Sequence, residues 1–180
     1  MKRIIFLSAL SIVLFGSACK KTVTEEDLPP ATQTGANTFG AKVNGQPWIP
    51  QGFGGIGASN LLEARFVGND LIINARNFAS SPNETEFEIR VIGATTTGTY
   101  TLNTNVSHPS FAGSYAYYVK RNISPLNEWL TSTAYTGVVT LTRVDASARI
   151  VSGTFSFNAL NIYNTPEPLS ATEGRFDIKY

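Results

Sequence analysis

Between Val151 and Ala159 the chain alternates without a break: Val151, Gly153, Phe155, Phe157 and Ala159 fall on one side, and Ser152, Thr154, Ser156 and Asn158 on the other. A period of two sends successive side chains to opposite faces of a strand, and a helix of 3.6 residues per turn does not satisfy it. The pattern recurs along most of the chain. Phe39, Ala41 and Val43 alternate with Gly40 and Lys42, and Asn44-Gly45 follows as a type I′ hairpin signal. Trp48 continues the return strand, where Pro47 and Pro50 mark an edge. Leu62, Ala64 and Phe66 lead through Gly68-Asn69-Asp70 to Leu71, Ile73 and Ala75. Phe87, Ile89 and Val91 face one way and Glu86, Glu88 and Arg90 the other. Tyr100 and Leu102, then Tyr115, Tyr117 and Val119, then Val139 and Leu141 add further segments, and Phe176, Ile178 and Tyr180 close the series.

These segments predict an all-β domain, an antiparallel β-sandwich or barrel of about eight to ten strands with at most one short helix. The helix is expected after Ser124-Pro125, a cap-and-first-turn signal, with Leu126, Trp129 and Leu130 at helical spacing. Residues 103–113 and 145–148 read as a loop and a turn. The composition agrees: only 15% of residues are charged, while Gly, Ser, Thr, Asn and aromatic residues, which suit strands and turns, are abundant. With 180 residues the chain can bury one core without covalent staples.

The N-terminus is organised differently. Lys2 and Arg3 precede an apolar run from Ile4 to Phe15, the length of a signal-peptide core and too short for the ~20 residues that span a bilayer. Gly16-Ser17-Ala18 then leads to Cys19, the one cysteine in the chain. The pattern resembles a lipobox, in which Cys19 is cleaved to, acylated and left as the new N-terminus. Gly16 stands where that motif prefers Leu. The expected organisation is a signal peptide over residues 1–18, a flexible tether over 19–37, which has too few apolar residues to order itself, and a single β-domain over 38–180. Lys20 follows the cysteine, and the absence of Asp there favours the outer membrane over inner-membrane retention by resemblance to other lipoproteins. The periplasmic face and the cell surface both stay open. Losing Lys2 and Arg3 leaves 12 basic against 13 acidic residues, with no basic stripe for nucleic acid.

Three groups of segments carry a family likeness: Leu28-Pro29-Pro30-Ala31-Thr32; Asn37 to Gly45 with Trp48; and Gly153 to Phe157 with Glu173 to Asp177. Together they resemble a Bacteroidota lipoprotein family of unknown function, in which a signal and lipobox precede one small β-rich domain. The resemblance implies the anchor and the single domain. It implies no activity and supplies no catalytic residues.

Candidate chemistry is sparse. Gly52-Phe53-Gly54-Gly55-Ile56-Gly57 fits G-x-G-x-x-G, but that motif holds pyrophosphate only between a strand and a helix N-terminus. Here another strand pattern follows, so the segment reads as a loop. His108 is the one histidine; zinc sites need several His or Cys ligands, and no G-x-S-x-G elbow provides a nucleophile. It reads as a solvated loop residue. Glu84, Glu86 and Glu88 share one face of a strand, a row that could serve glycoside hydrolysis or bind Ca²⁺ and that is also what a soluble sheet face looks like. Tyr115, Tyr117, Tyr118, Trp129 and Tyr135 are the candidate ligand-binding residues, since exposed aromatics on a β-platform stack sugar rings. Their alternative is core, with Tyr117 and Tyr118 on opposite faces. No catalytic residue, cofactor or metal is assigned. The sequence therefore points to a lipid-anchored envelope protein acting as a non-catalytic binding or interaction module, with a glycan or an envelope protein as partner. A small glycan-active hydrolase using the strand carboxylates and a barrel holding an apolar ligand are the alternatives.

Overall fold

The computed structural model describes residues 28–52, 61–80, 82–121, 127–163 and 167–180. Eleven strands occupy them: β1 (Thr38–Val43), β2 (Gln46–Trp48), β3 (Leu62–Val67), β4 (Asp70–Asn77), β5 (Thr85–Val91), β6 (Gly98–Leu102), β7 (Tyr115–Lys120), β8 (Asn127–Leu130), β9 (Gly137–Asp145), β10 (Ile150–Asn161) and β11 (Pro168–Lys179). The fold is all-β, with no helix among the described residues, and every strand pairing is antiparallel. The Asn44-Gly45 turn joins β1 to β2 with both residues at positive φ, 49° and 79°, as a type I′ turn requires.

The strands form one sheet in the order β2-β1-β11-β10-β8-β7-β5-β4-β3. Along one side β10 pairs with β11; along the other it pairs first with β9 and then, at Leu160 and Asn161, with β8. The sheet forks there, and β6 extends the β9 arm. Irregularities at Gly40/Lys42, Ser152/Gly153 and Phe155/Phe157 interrupt the ladders, and such bulges bend strands and sharpen their twist. The result is a curled sheet, or half-barrel, whose distant strands meet. Trp48 of β2 lies 4.6 Å ring to ring from Phe87 of β5 and donates its Nε1–H to Thr85. Phe66 of β3 lies 4.9 Å from Tyr180, just past β11.

The concave face is filled with side chains. Phe87 is its hub, with ring contacts to Phe39, Trp48, Tyr118, Phe155 and Phe157. Ile73, Ile89, Leu141, Phe176 and Ile178 complete the packing. Close approach explains two glycines: a Cβ on Gly153 would lie 2.4 Å from the Thr140 carbonyl oxygen, and one on Gly174 would strike the Phe155 ring.

Two expectations change. Residues 127–130 are not helical but form β8, pairing Trp129 with Tyr118 and Leu130 with Tyr117; Ser124-Pro125 lies outside the described residues, as do residues 1–27 and with them the signal and Cys19. Residues 28–37, expected within the tether, lie instead as a strap on the outer face of the sheet. The strap is held by Asp177, which is 0% exposed. The backbone N–H groups of Thr34, Gly35 and Ala36 donate to its carboxylate at 2.8, 2.8 and 3.1 Å. Thr32 and Ser152 add hydroxyl donors at 2.6 and 2.7 Å. Gly35 sits at φ 76°, and successive N–H groups converging through a left-handed residue form a nest for an anion. Burial alone would raise the Asp177 pKa; the donors from Thr32, Ser152, Ala36 and Gly35 outweigh it and hold the group far below the ordinary carboxylate range. Arg143 donates to the Gln33 carbonyl, and Pro29 packs over Gly40, where a Cβ would come within 2.7 Å.

Phe87→Ala should cost about 3–5 kcal/mol of unfolding free energy in urea titrations. Asp177→Asn should cost about 2–3 kcal/mol, because a neutral amide presents a donor to groups that are themselves donors. Limited proteolysis of that variant should cut within residues 28–36 before the domain unfolds, and Gly40→Ala should expose the same segment.

Candidate functional site

The outer face of β4, β5 and β7 carries the polar cluster. Alternation in β5 sends Phe87, Ile89 and Val91 into the core and turns Glu86, Glu88 and Arg90 outward. The register sets Glu88 between Asn74 of β4 and Tyr117 of β7, and Arg90 opposite Tyr115. The segment 103–114 crosses this face: Val106 packs against the buried cluster of Tyr115, Tyr117, Val119 and Leu130. The expected solvent face of glutamates is thus partly roofed.

Under the roof, Glu88 is held from several sides. Tyr115 donates its hydroxyl hydrogen to Oε1 at 2.5 Å, and Asn74 donates to Oε2 at 3.1 Å. His108 Nε2 lies 3.6 Å from Oε1, an ion-pair distance rather than a hydrogen bond. Burial alone would raise the Glu88 pKa, but His108, Tyr115 and Asn74 together lower it to about 2. Burial, reinforced by the bond to Glu88, raises Tyr115 well above the ordinary phenol range. His108 is not the solvated residue expected. Its ring stacks on Tyr117 with centroids 3.6 Å apart and planes 6° from parallel, and its side chain is only 19% exposed. Of the remaining glutamates, Glu86 sits between Arg121 at 3.4 Å and Arg76 at 3.8 Å.

Beside this cluster Arg90 is 3% exposed; it donates to Asp70 at 2.7 Å, and its guanidinium lies 4.6 Å under the ring of Phe111. Arg90 Nε has no hydrogen-bond partner. Phe111 is 74% exposed. Arg90, Phe111, Glu88 and Tyr115 border an open cavity of about 290 Å³ that also touches Arg65, Val67 and Ile72.

The five aromatic candidates do not form one surface. Tyr118 and Trp129 belong to the main core, where Trp129 Nε1 donates to the Glu167 carbonyl. Tyr115 and Tyr117 lie on the opposite face beneath the roof, and Tyr135 is half-buried in a turn closed by Ser132. Sequence reasoning missed Arg90, Asp70 and Phe111. The register of β4, β5 and β7 would have placed Arg90 near Tyr115, but nothing local marks Phe111 as its cover. Among the described residues no group of three His, Cys, Asp or Glu side chains is placed to hold a metal ion. Of the G-x-G-x-x-G segment only Gly52 falls among the described residues.

The profile of a family described as a domain of unknown function, DUF6252, matches residues 36–177. The chain belongs to this family. No curated protein and no solved structure matches it. The DUF6252 match contains the whole polar cluster and ends on Asp177, whereas most of the strap precedes it.

The low pKa of Glu88 has a definite sign in stability. Between pH 4.5 and about 2 the unfolded chain binds the proton that folded Glu88 refuses, so its contribution is complete above pH 4.5 and is lost as pH falls through that window. Asp177 acts in the same direction. Urea titrations across pH should show a shallower acid loss for Glu88→Gln than for the wild type, with a residual slope from Asp177.

Proposed function

We propose that this DUF6252 chain is a lipid-anchored protein of the bacterial outer membrane whose β-domain is a non-catalytic binding module. The observation that carries the non-catalytic reading is the state of Glu88. A general acid in glycoside hydrolysis needs a raised pKa, whereas Glu88 is lowered to about 2 and is held by Tyr115 and Asn74. Such a carboxylate fixes geometry and accepts hydrogen bonds; it is poorly placed to deliver a proton at neutral pH. The packed rings of Phe39, Phe87, Phe155 and Phe157 likewise leave the concave face to the core rather than to an apolar ligand.

The anchor reading rests on the sequence pattern that ends in Cys19, and the strap gives it a spatial consequence. Cys19 and Leu28 are nine residues apart, a span of at most about 30 Å when fully extended. With the strap docked, a domain anchored at Cys19 would stay close to the bilayer.

Membrane fractionation and protease shaving of intact cells test the reading. The wild type is expected in the outer-membrane fraction and Cys19→Ala in the soluble fraction. A Cys19→Ala protein that still sediments with the membrane would remove the anchor. Turnover of a substrate that is abolished by Glu88→Gln, in a variant that still folds, would remove the non-catalytic reading.

A further inference from the structure

We infer that the open cavity beside Phe111 is a carbohydrate site that takes one neutral hexose unit of a glycan. The inference rests on the binding-module reading and names its ligand class.

Four observations converge on it. First, Phe111 presents an aromatic ring that is 74% exposed, with the Arg90 guanidinium against it at 4.6 Å. The electron-rich face of an aromatic ring attracts positively polarised hydrogens, and the C–H face of a pyranose offers a flat array of them. Second, the charged groups at the cavity already have partners within the protein: Arg90 pairs with Asp70 and Arg65 with Glu63, and Glu88 accepts from Tyr115 and Asn74. An anion or a cation entering there would meet both signs. A neutral ligand whose hydroxyls both donate and accept can use both.

Third, unused hydrogen-bonding capacity of both kinds remains. Arg90 Nε is a buried donor without a partner, and a buried polar group left in that state calls for one. The Glu88 carboxylate accepts from Tyr115 and Asn74, which leaves lone pairs of an acceptor that has about four. A hydroxyl entering from the open side of the cavity, beside the Phe111 ring, would supply an acceptor to Arg90, and its neighbour on the sugar a donor to Glu88. Fourth, the size fits. At about 290 Å³ the cavity stands at the lower end of ligand pockets, roughly 300–1,000 Å³, with room for one sugar ring and an open side for the rest of a chain. Val67 and Ile72 add apolar wall beneath it.

The test is saturation-transfer NMR on the full chain in detergent. The neutral probes are maltose, cellobiose, lactose, mannobiose and N,N′-diacetylchitobiose, and the charged controls are glucuronic acid and glucosamine. At least one neutral disaccharide should bind with a Kd of about 1 mM or tighter. Phe111→Ala should weaken that binding at least about tenfold while Phe111→Trp retains it, because either aromatic ring serves as a stacking surface. Thermal melting checks that both variants fold, which the exposure of Phe111 favours. Binding unaffected by Phe111→Ala, preference for the charged sugars, or no bound sugar would each overturn the proposal. None of these outcomes touches the anchor, which is read from Cys19→Ala fractionation. Binding accompanied by cleavage of the disaccharide would keep the site and remove the non-catalytic reading.

Discussion

A single sheet that curls to bury its concave face leaves its convex face open to water, and much of this structure answers that constraint. The concave side is filled by the aromatic cluster around Phe87, where apolar burial supplies the main driving force. The convex side is covered piece by piece. Residues 28–37 lie over β10 and β11, and residues 103–114 lie over β5 and β7. Neither cover is rich in apolar side chains, and each lies over a carboxylate: Asp177 binds the first directly, whereas Glu88 sits under the second, which His108 on Tyr117, Phe111 over Arg90 and Val106 hold to the sheet. A charge taken from water is costly unless hydrogen bonds replace its solvent, and both groups are amply supplied.

The two carboxylates differ in where their donors come from. Asp177 takes three of its bonds from consecutive backbone N–H groups of the strap, so any residue tolerating the backbone shape could supply them. Glu88 takes its partners from side chains of Asn74 and Tyr115, with the His108 ring beside it. The first arrangement depends on backbone conformation, with Gly35 in the left-handed region. The second depends on side-chain identity, and it leaves an adjoining surface whose donors and acceptors are not all engaged.

This difference also explains which parts of the molecule were legible in the sequence. Alternation announced most of the strands, because a one-face core writes a period of two into the chain. It failed at β8, where Trp129 is buried in the concave core and Leu130 beneath the convex cover. With both faces buried, neighbouring apolar residues lose the alternating signature, and Leu126, Trp129 and Leu130 then imitate a helical spacing. The strap failed for a related reason. Low apolar content argues against order when side-chain burial is the source of stability, but the strap is ordered through N–H groups that find a carboxylate more than 140 residues away. His108 looked solvated because Tyr117 and Glu88, which enclose it, are distant from it only in sequence terms: their strands lie on the sheet that its loop crosses.

The positions of the two covers bear on how a tethered module could work. β10 and β11, under the strap, and β4 and β5, beside the cavity, are separated by β8 and β7 in the sheet order, and the curl brings the inner faces of the two regions together. The described chain enters along the strap, over β10 and β11, and the Phe111 cavity opens over β3, β4 and β5. An anchor at Cys19 would pull from the strap side, and Asp177 holds its proton so weakly that mild acidification would not release the attachment. The strap and the cavity thus occupy separate stretches of the outer face and share no residue, so filling the cavity would leave the Asp177 fastening intact.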